Sequence, residues 1–292
     1  MKKPFLLPAI ALLCGAVGAL LRQWHLLSAY EFGTGLPIHR APATFALIAF
    51  GVLVTAGILL IARQSRPAAP LPQGSGYFQS RGAGTLLLTA AAGILTAAAG
   101  ALYLLGVYSA HKVYLPKPGE APFLLLNALA IVLGFLCLLA GAGMLLKAFT
   151  AFQGKTPAKQ SLALLLPAYA CCIWLMVSYQ GWASDPIISD YVFTMFAIMA
   201  SMIAYYYLAA FSFASPRPVI FSTLAALGIF FSCIAILPST ALPDKLMLIA
   251  QICYWFAMLY ALNRNLQDPS CVPPAAADEE SVPVIMPKEE TP

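Results

Sequence analysis

The sequence predicts an all-α fold: a polytopic transmembrane helical bundle of eight spans, arranged as four sequential hairpins with the N and C termini cytoplasmic. Three observations carry this prediction. Of the 292 residues, 61% are hydrophobic and only 9% charged, against about 25% charged in soluble chains. The apolar residues gather into runs of about 20, the length of helix that crosses a hydrocarbon core about 30 Å thick. The remaining charges sit in short clusters between those runs. A net charge of +5 distributed in this way reports orientation in a bilayer, not a nucleic-acid surface, because no basic groove interleaved with aromatics is visible.

Met1, Lys2 and Lys3 precede an apolar run from Pro4 to Leu21. A basic start and an apolar core are marks of a signal peptide, but the run exceeds a signal core of about 7–15 residues, and Leu13 before Cys14 spoils a lipoprotein-type cleavage site. The segment is therefore expected to stay as the first helix. Ala11, Gly15 and Gly18 share one of its faces, and Arg22 continues that face at the outer end. The first outer loop, Trp24 to Pro42, holds His25, Glu31 and His39. A second helix, Ala43 to Ala62, leads to a linker rich in Pro, Gly, Ser and Gln.

The third helix, Thr85 to Tyr108, places Thr89, Gly93, Thr96, Gly100 and Tyr103 on one face. The fourth, Pro122 to Leu146, carries Asn127, Ala130, Gly134, Cys137 and Gly141 along a comparable seam. Small residues let helix backbones approach closely in a membrane, so both seams should pack tightly. The two loops Ser28 to Pro42 and Ser109 to Pro122 share Ser-Ala, Leu-Pro and Ala-Pro steps, which fits either two copies of one hairpin or two apolar hairpins alike in composition alone. The fifth helix, Ser161 to Gln180, contains Pro167, which should kink it.

The sixth helix, within Ser189 to Ser215, shows two faces. At about 100° per residue, Asp190, Thr194, Ala197, Ser201 and Tyr205 fall in one sector, and Val192, Phe196 and Ile203 fall opposite. Hydroxyls and a carboxylate in hydrocarbon need protein or water as partners, so the polar stripe should face other helices and the bulky side lipid. A seventh helix, Val219 to Leu237, and an eighth, Pro243 to Leu262, complete the set.

Ten Lys and Arg residues fall on one side of this map and five on the other, which puts both termini in the cytoplasm by the positive-inside rule. Residues 1–264 form the transmembrane helical domain. Residues 265–292, rich in Pro, Ala and Glu, read as a disordered cytoplasmic tail.

Several chemistries are disfavoured. Six of seven Cys lie in apolar runs and Cys271 in the tail, with no disulfide framework or zinc spacing. No ionisable residue lies near the centre of an expected span, which weighs against voltage sensors and proton-coupled pumps and leaves no lysine for retinal. The three His lie outside the expected spans, so haem held by paired His is unsupported. No nucleotide-binding loop, zinc-protease helix or nucleophile elbow is present. No catalytic residue, metal or cofactor is expected.

The sharpest site expectation joins Arg22 to Asp190 or Glu31, since Arg in a poorly hydrated setting seeks a carboxylate. With Thr194, Ser201 and Tyr205 these residues would line a polar vestibule open to the outside, able to bind a small-molecule ligand. The expected function is small-molecule transport or permeation. A noncatalytic membrane sensor, anchor or complex subunit, with a membrane or cytoplasmic protein partner, is the alternative. Trp24-His25-Leu26, Ala29-Tyr30-Glu31, Gly35-Leu36-Pro37 and Ala41-Pro42-Ala43-Thr44 resemble the first hairpin of multi-pass membrane proteins of anaerobic Gram-positive bacteria that have no assigned activity. That resemblance implies a cell-membrane location and carries over no functional residue.

Overall fold

The computed structural model describes residues 4–31, 36–38, 40–64, 78, 82–114, 122–153, 164–183, 191–211, 216–237 and 241–267. Most of the described residues are helical, and apart from an isolated bridge between Tyr30 and Pro37 they form no strand. In chain order the helices are α1 (Leu6–Ser28), α2 (Pro42–Gln64), α3 (Ala83–Val113), α4 (Phe123–Leu126), α5 (Ala128–Gln153), α6 (Leu166–Trp182), α7 (Val192–Ala210), α8 (Pro218–Ala235) and α9 (Leu242–Gln267). Seven of them are long and apolar enough to cross a membrane. The chain is an integral membrane protein of the multi-pass helical kind. Of the eight expected spans, the one corresponding to α6 has only 17 residues and falls just short of that length.

Boundaries differ from expectation where polar residues enter a helix instead of ending it. α1 runs on past Arg22 through Trp24 and His25, and α3 through His111 and Lys112; His25, His111 and Lys112 had been expected in loops. A helix satisfies its own backbone at the membrane surface, and exposed faces can carry polar side chains there. Asn127 breaks the expected fourth helix into α4 and α5: its side-chain amide donates to the Phe123 carbonyl at 3.0 Å, a local bond that competes with the helix ladder. Pro167 causes no kink. It is the second residue of α6, where a missing N–H leaves no bond unmade. α9 continues to Gln267 with Asn265 buried, three residues past the expected edge of the helical domain; residues 268–292 lie outside the described residues.

α9 is the most buried span and occupies the middle of the bundle. α3, α8 and α1 pack on it, α5 joins α3 on one side and α7 joins α8 on the other, α6 packs between α5 and α7, and α2 lies outside against α1 and α8. The glycine seams explain this order. Gly100 lies so close to α5 that an added Cβ would stand 2.6 Å from the Gly134 carbonyl oxygen, and one added at Gly141 would stand 2.6 Å from that of Gly93. The two predicted seams therefore pack on each other. The α1 seam goes elsewhere: Gly15 meets Cys233 and Gly18 meets Ile234, both on α8. The first two hairpins thus use their small-residue faces differently, one against a distant helix and one within itself. α1 is fastened at its start as well, where Phe5 stacks on Tyr260 at 4.3 Å and the Pro4 carbonyl accepts from the Asn263 amide.

Candidate functional site along α9

α9 directs a series of polar and sulfur-bearing side chains into the bundle, each with a partner on another helix. At its start, one oxygen of Asp244, Oδ1, accepts from the Trp174 indole N–H of α6 at 2.7 Å and from the Tyr103 hydroxyl of α3. The other, Oδ2, makes no hydrogen bond among the described residues, and the residue is half-buried. One turn deeper, the Cys137 thiol of α5 meets the Met247 sulfur at 3.6 Å. A further turn in, Gln251 accepts from Ser232 of α8 at 3.2 Å and directs its amide N–H at the Cys171 sulfur of α6 at 3.6 Å. The next turn brings Trp255, whose indole N–H donates to Ser201 of α7 at 3.0 Å while Tyr205 stacks against its ring at 4.3 Å.

At the far end stands Lys147 of α5. It is half-buried, with its ammonium 3.4 Å from the Met258 sulfur and over the rings of Phe78 and Tyr254, at 5.2 and 5.9 Å. Among the described residues it forms no ion pair. Beside it lies a cavity of about 20 Å³, lined in part by Thr85, Thr89 and Ala261, room for about one water molecule. The Thr85 and Thr89 hydroxyls donate to carbonyls of their own helix and present acceptor oxygens to that space, so a water would accept from Lys147 and donate to the threonines. From Asp244 to Met258 the series follows α9 for about 21 Å.

The sequence-predicted residues fall as follows. The polar stripe of α7 does face inward: Thr194, Ala197, Ser201 and Tyr205 are buried, whereas Phe196 and Ile203 are exposed. The Thr194 hydroxyl oxygen has no hydrogen-bond partner among the described residues. Ser201 and Tyr205 belong to the α9 series through Trp255. Arg22 is 2% exposed, donates to His25 Nδ1 at 3.1 Å and lies 5.6 Å from the Phe193 ring of α7. That bond makes Nδ1 an acceptor, so a neutral His25 carries its proton on Nε2. Glu31 is exposed, and Asp190 lies outside the described residues. The structure thus brings Arg22 to Phe193 of α7, next to Thr194 in the chain, and keeps Ser201 and Tyr205 with α9, about two and three turns beyond Thr194.

Sequence reasoning missed Asp244, Tyr103, Trp174, Gln251 and Lys147 as a set. Asp244 and Lys147 sat near span ends and passed for boundary markers, although both lie within spans and turn toward other helices. For Lys147 the signal that could have found it is the absence of any acidic residue along its helix; Asp244 is followed directly by Lys245 and carries no such signal. Cys171 and Cys172 point apart, one buried and one exposed, as adjacent helical positions must. Among the described residues, no group of three His, Cys, Asp or Glu side chains could hold a metal ion. No family model, curated protein or solved structure matches the chain, so the chemistry of the site rests on its own residues.

Proposed function

We propose that the protein is a transporter or permease-like protein for small polar solutes, with an outward-facing vestibule and a path along α9. The observation that carries this reading is the series of inward-facing polar groups from half-buried Asp244 through buried Gln251 and Ser201 to half-buried Lys147. A helix that only anchored the chain would gain stability from apolar residues at those positions, because polar groups in the membrane interior are costly and cluster where solutes or ions pass. In this reading α6 also crosses the bilayer, since 17 residues match the shortest spanning helices. Eight spans then leave both termini in the cytoplasm, put Asp244 at the outer end of the path and Lys147 at the inner end, and make Arg22, Glu31, Asp190 and Thr194 the rim of the vestibule.

The test is flux in proteoliposomes holding the full chain, over a panel of labelled amino acids, sugars, nucleosides, carboxylates and amines. One class should enter in a protein-dependent way, and Gln251→Leu should slow that entry about tenfold, the equivalent of one lost hydrogen bond of about 1.4 kcal/mol. Flux equal to that of empty vesicles for every class would sink the proposal.

One observation favours the alternative of a noncatalytic sensor, anchor or complex subunit. The middle of the path is closely filled, since a Cβ at Gly228 would stand 3.0 Å from the Ser201 hydroxyl and 3.1 Å from the Trp255 ring. A chain that showed no flux and purified with a defined membrane or cytoplasmic partner would support it.

A further inference from the structure

We infer that Asp244 is a proton-binding site, loaded from the end of the bundle at which α9 begins, and that the proton is the coupling ion of the path. The coupling role rests on the transport reading above and departs from the sequence expectation against proton coupling, because Asp244 lies inside a span, near its end; the protonation stands on the geometry at Asp244.

Both donors that reach Asp244 bind the same oxygen. The Tyr103 hydroxyl from α3 and the Trp174 indole from α6 converge on Oδ1, while Oδ2 has no hydrogen-bond partner among the described residues. A structural carboxylate in a span is ordinarily satisfied on both oxygens or paired with a cation. Among the described residues, the titratable groups around it do not supply that cation. Tyr103 faces it from α3 and Cys137 from α5, and Cys171 of α6 lies deeper, bound by Gln251. Lys245 follows it on α9 and forms no ion pair among the described residues, and neither α1 nor α8 presents it with a charged group there. Met247 and Cys137 close the next turn with sulfur.

That inventory suits a proton better than other cations. A hard metal ion asks for about six oxygen ligands, and one carboxylate with one phenol falls far short. A soft ion would need converging thiolates, yet the Cys137 thiol is directed at Met247. A proton needs one bare oxygen. In the step, a hydronium ion from water gives its proton to Oδ2: an O–H bond forms on the carboxylate, one breaks in the hydronium, and the side chain passes from an anion to a neutral acid. Release breaks that O–H bond and hands the proton to water on the other side of the membrane, by way of the α9 path, so that the carboxylate is restored and one proton crosses with the solute.

The consequence for the fold is mechanical. In the anionic form two charge-assisted bonds draw α3 and α6 onto the start of α9. Neutral bonds are about half as strong, so protonation loosens both helices from α9 at once. Loading is thereby tied to helix separation at the mouth of the path.

The experiment is infrared difference spectroscopy of the full chain in lipid as pH is stepped downward. The expected result is a carboxylic-acid carbonyl band that Asp244→Asn lacks. In the acid form Oδ1 is the carbonyl oxygen and carries both hydrogen bonds, so Tyr103→Phe and Trp174→Phe should each keep the band and move it to higher frequency. A wild-type protein without such a band overturns the site. Should Asp244→Asn fail to fold, the aromatic variants decide, and a band that neither moves belongs to another carboxyl. Proton uptake is then followed with a pH dye inside vesicles during solute entry. Solute flux without proton movement, with the band intact, overturns the coupling and leaves the binding site standing; an absent band overturns the site whether or not solute moves.

Discussion

Replacing Gly100 by valine tests the packing that holds α3 against α5. A Cβ at this position would meet the Gly134 carbonyl oxygen at 2.6 Å, Cys137 Cβ at 2.9 Å and the Leu138 nitrogen at 3.0 Å. Two of the three are backbone atoms and cannot turn aside as a side chain does. Restoring an ordinary contact of 3.4 Å requires the helices to part by about 0.8 Å, and the Gly93–Gly141 contact two turns away would open with them. Overpacking costs about 1–3 kcal/mol in well-packed cores, and the backbone contacts place Gly100→Val toward the upper end. At about 2–4 °C per kcal/mol for chains approaching this size, the melting temperature should fall by roughly 6–12 °C. Gly51→Val is the control, because a Cβ at Gly51 of α2 meets nothing within 4 Å and the chemical change is identical. Thermal unfolding of the full chain in detergent, followed by intrinsic fluorescence, compares the two. Equal melting temperatures for both variants would refute the claim that the glycine seam sets the α3–α5 distance.

Three further outcomes are expected. Ser201→Ala removes the acceptor of a fully buried indole N–H and should cost about 1–3 kcal/mol; adding Trp255→Phe should cost less than the sum of the two changes, and strict additivity in a thermal double-mutant cycle would contradict the contact. Lys147→Met keeps the length of the stem and removes a charge that has no ion pair among the described residues, so the variant should melt at or above the wild type, and a drop of several degrees would show that the ammonium holds a partner. Single cysteines at Ser28 and Arg264, both exposed helix-end positions, should differ in intact cells: Ser28→Cys takes a membrane-impermeant maleimide from outside, whereas Arg264→Cys does so only after lysis, and the reverse pattern would invert the proposed orientation.

Much of the bundle was legible in the chain. Gly93, Gly100, Gly134 and Gly141 were readable as contact seams because a helix repeats every 3.6 residues and small side chains on one face have few other uses in lipid. The inward turn of Thr194, Ala197, Ser201 and Tyr205 followed from the same periodicity. The destination of each seam was not readable. The α1 face could have met any neighbour and meets α8, because periodicity specifies a direction around one helix and says nothing of which helix lies there. Pro167 misled for a related reason: a proline is disruptive inside a helix and harmless in its first turn, and the start of α6 depends on residues several positions away.

The membrane class, the amphipathic faces and the exclusion of soluble folds are properties of local composition, since the bilayer acts as a uniform solvent that sorts apolar runs of about 20 residues whatever surrounds them. The convergence of Tyr103, Trp174 and Asp244, separated by as many as 141 positions in the chain, was decided by tertiary packing alone. Hydrogen bonding at a given atom depends on how three helices are tilted and turned against one another, and that arrangement comes from the complementary shapes of their seams. A carboxylate near a helix start is unremarkable in a string of letters; what the fold adds is two aromatic donors brought to one of its oxygens, with no hydrogen bond to the other among the described residues.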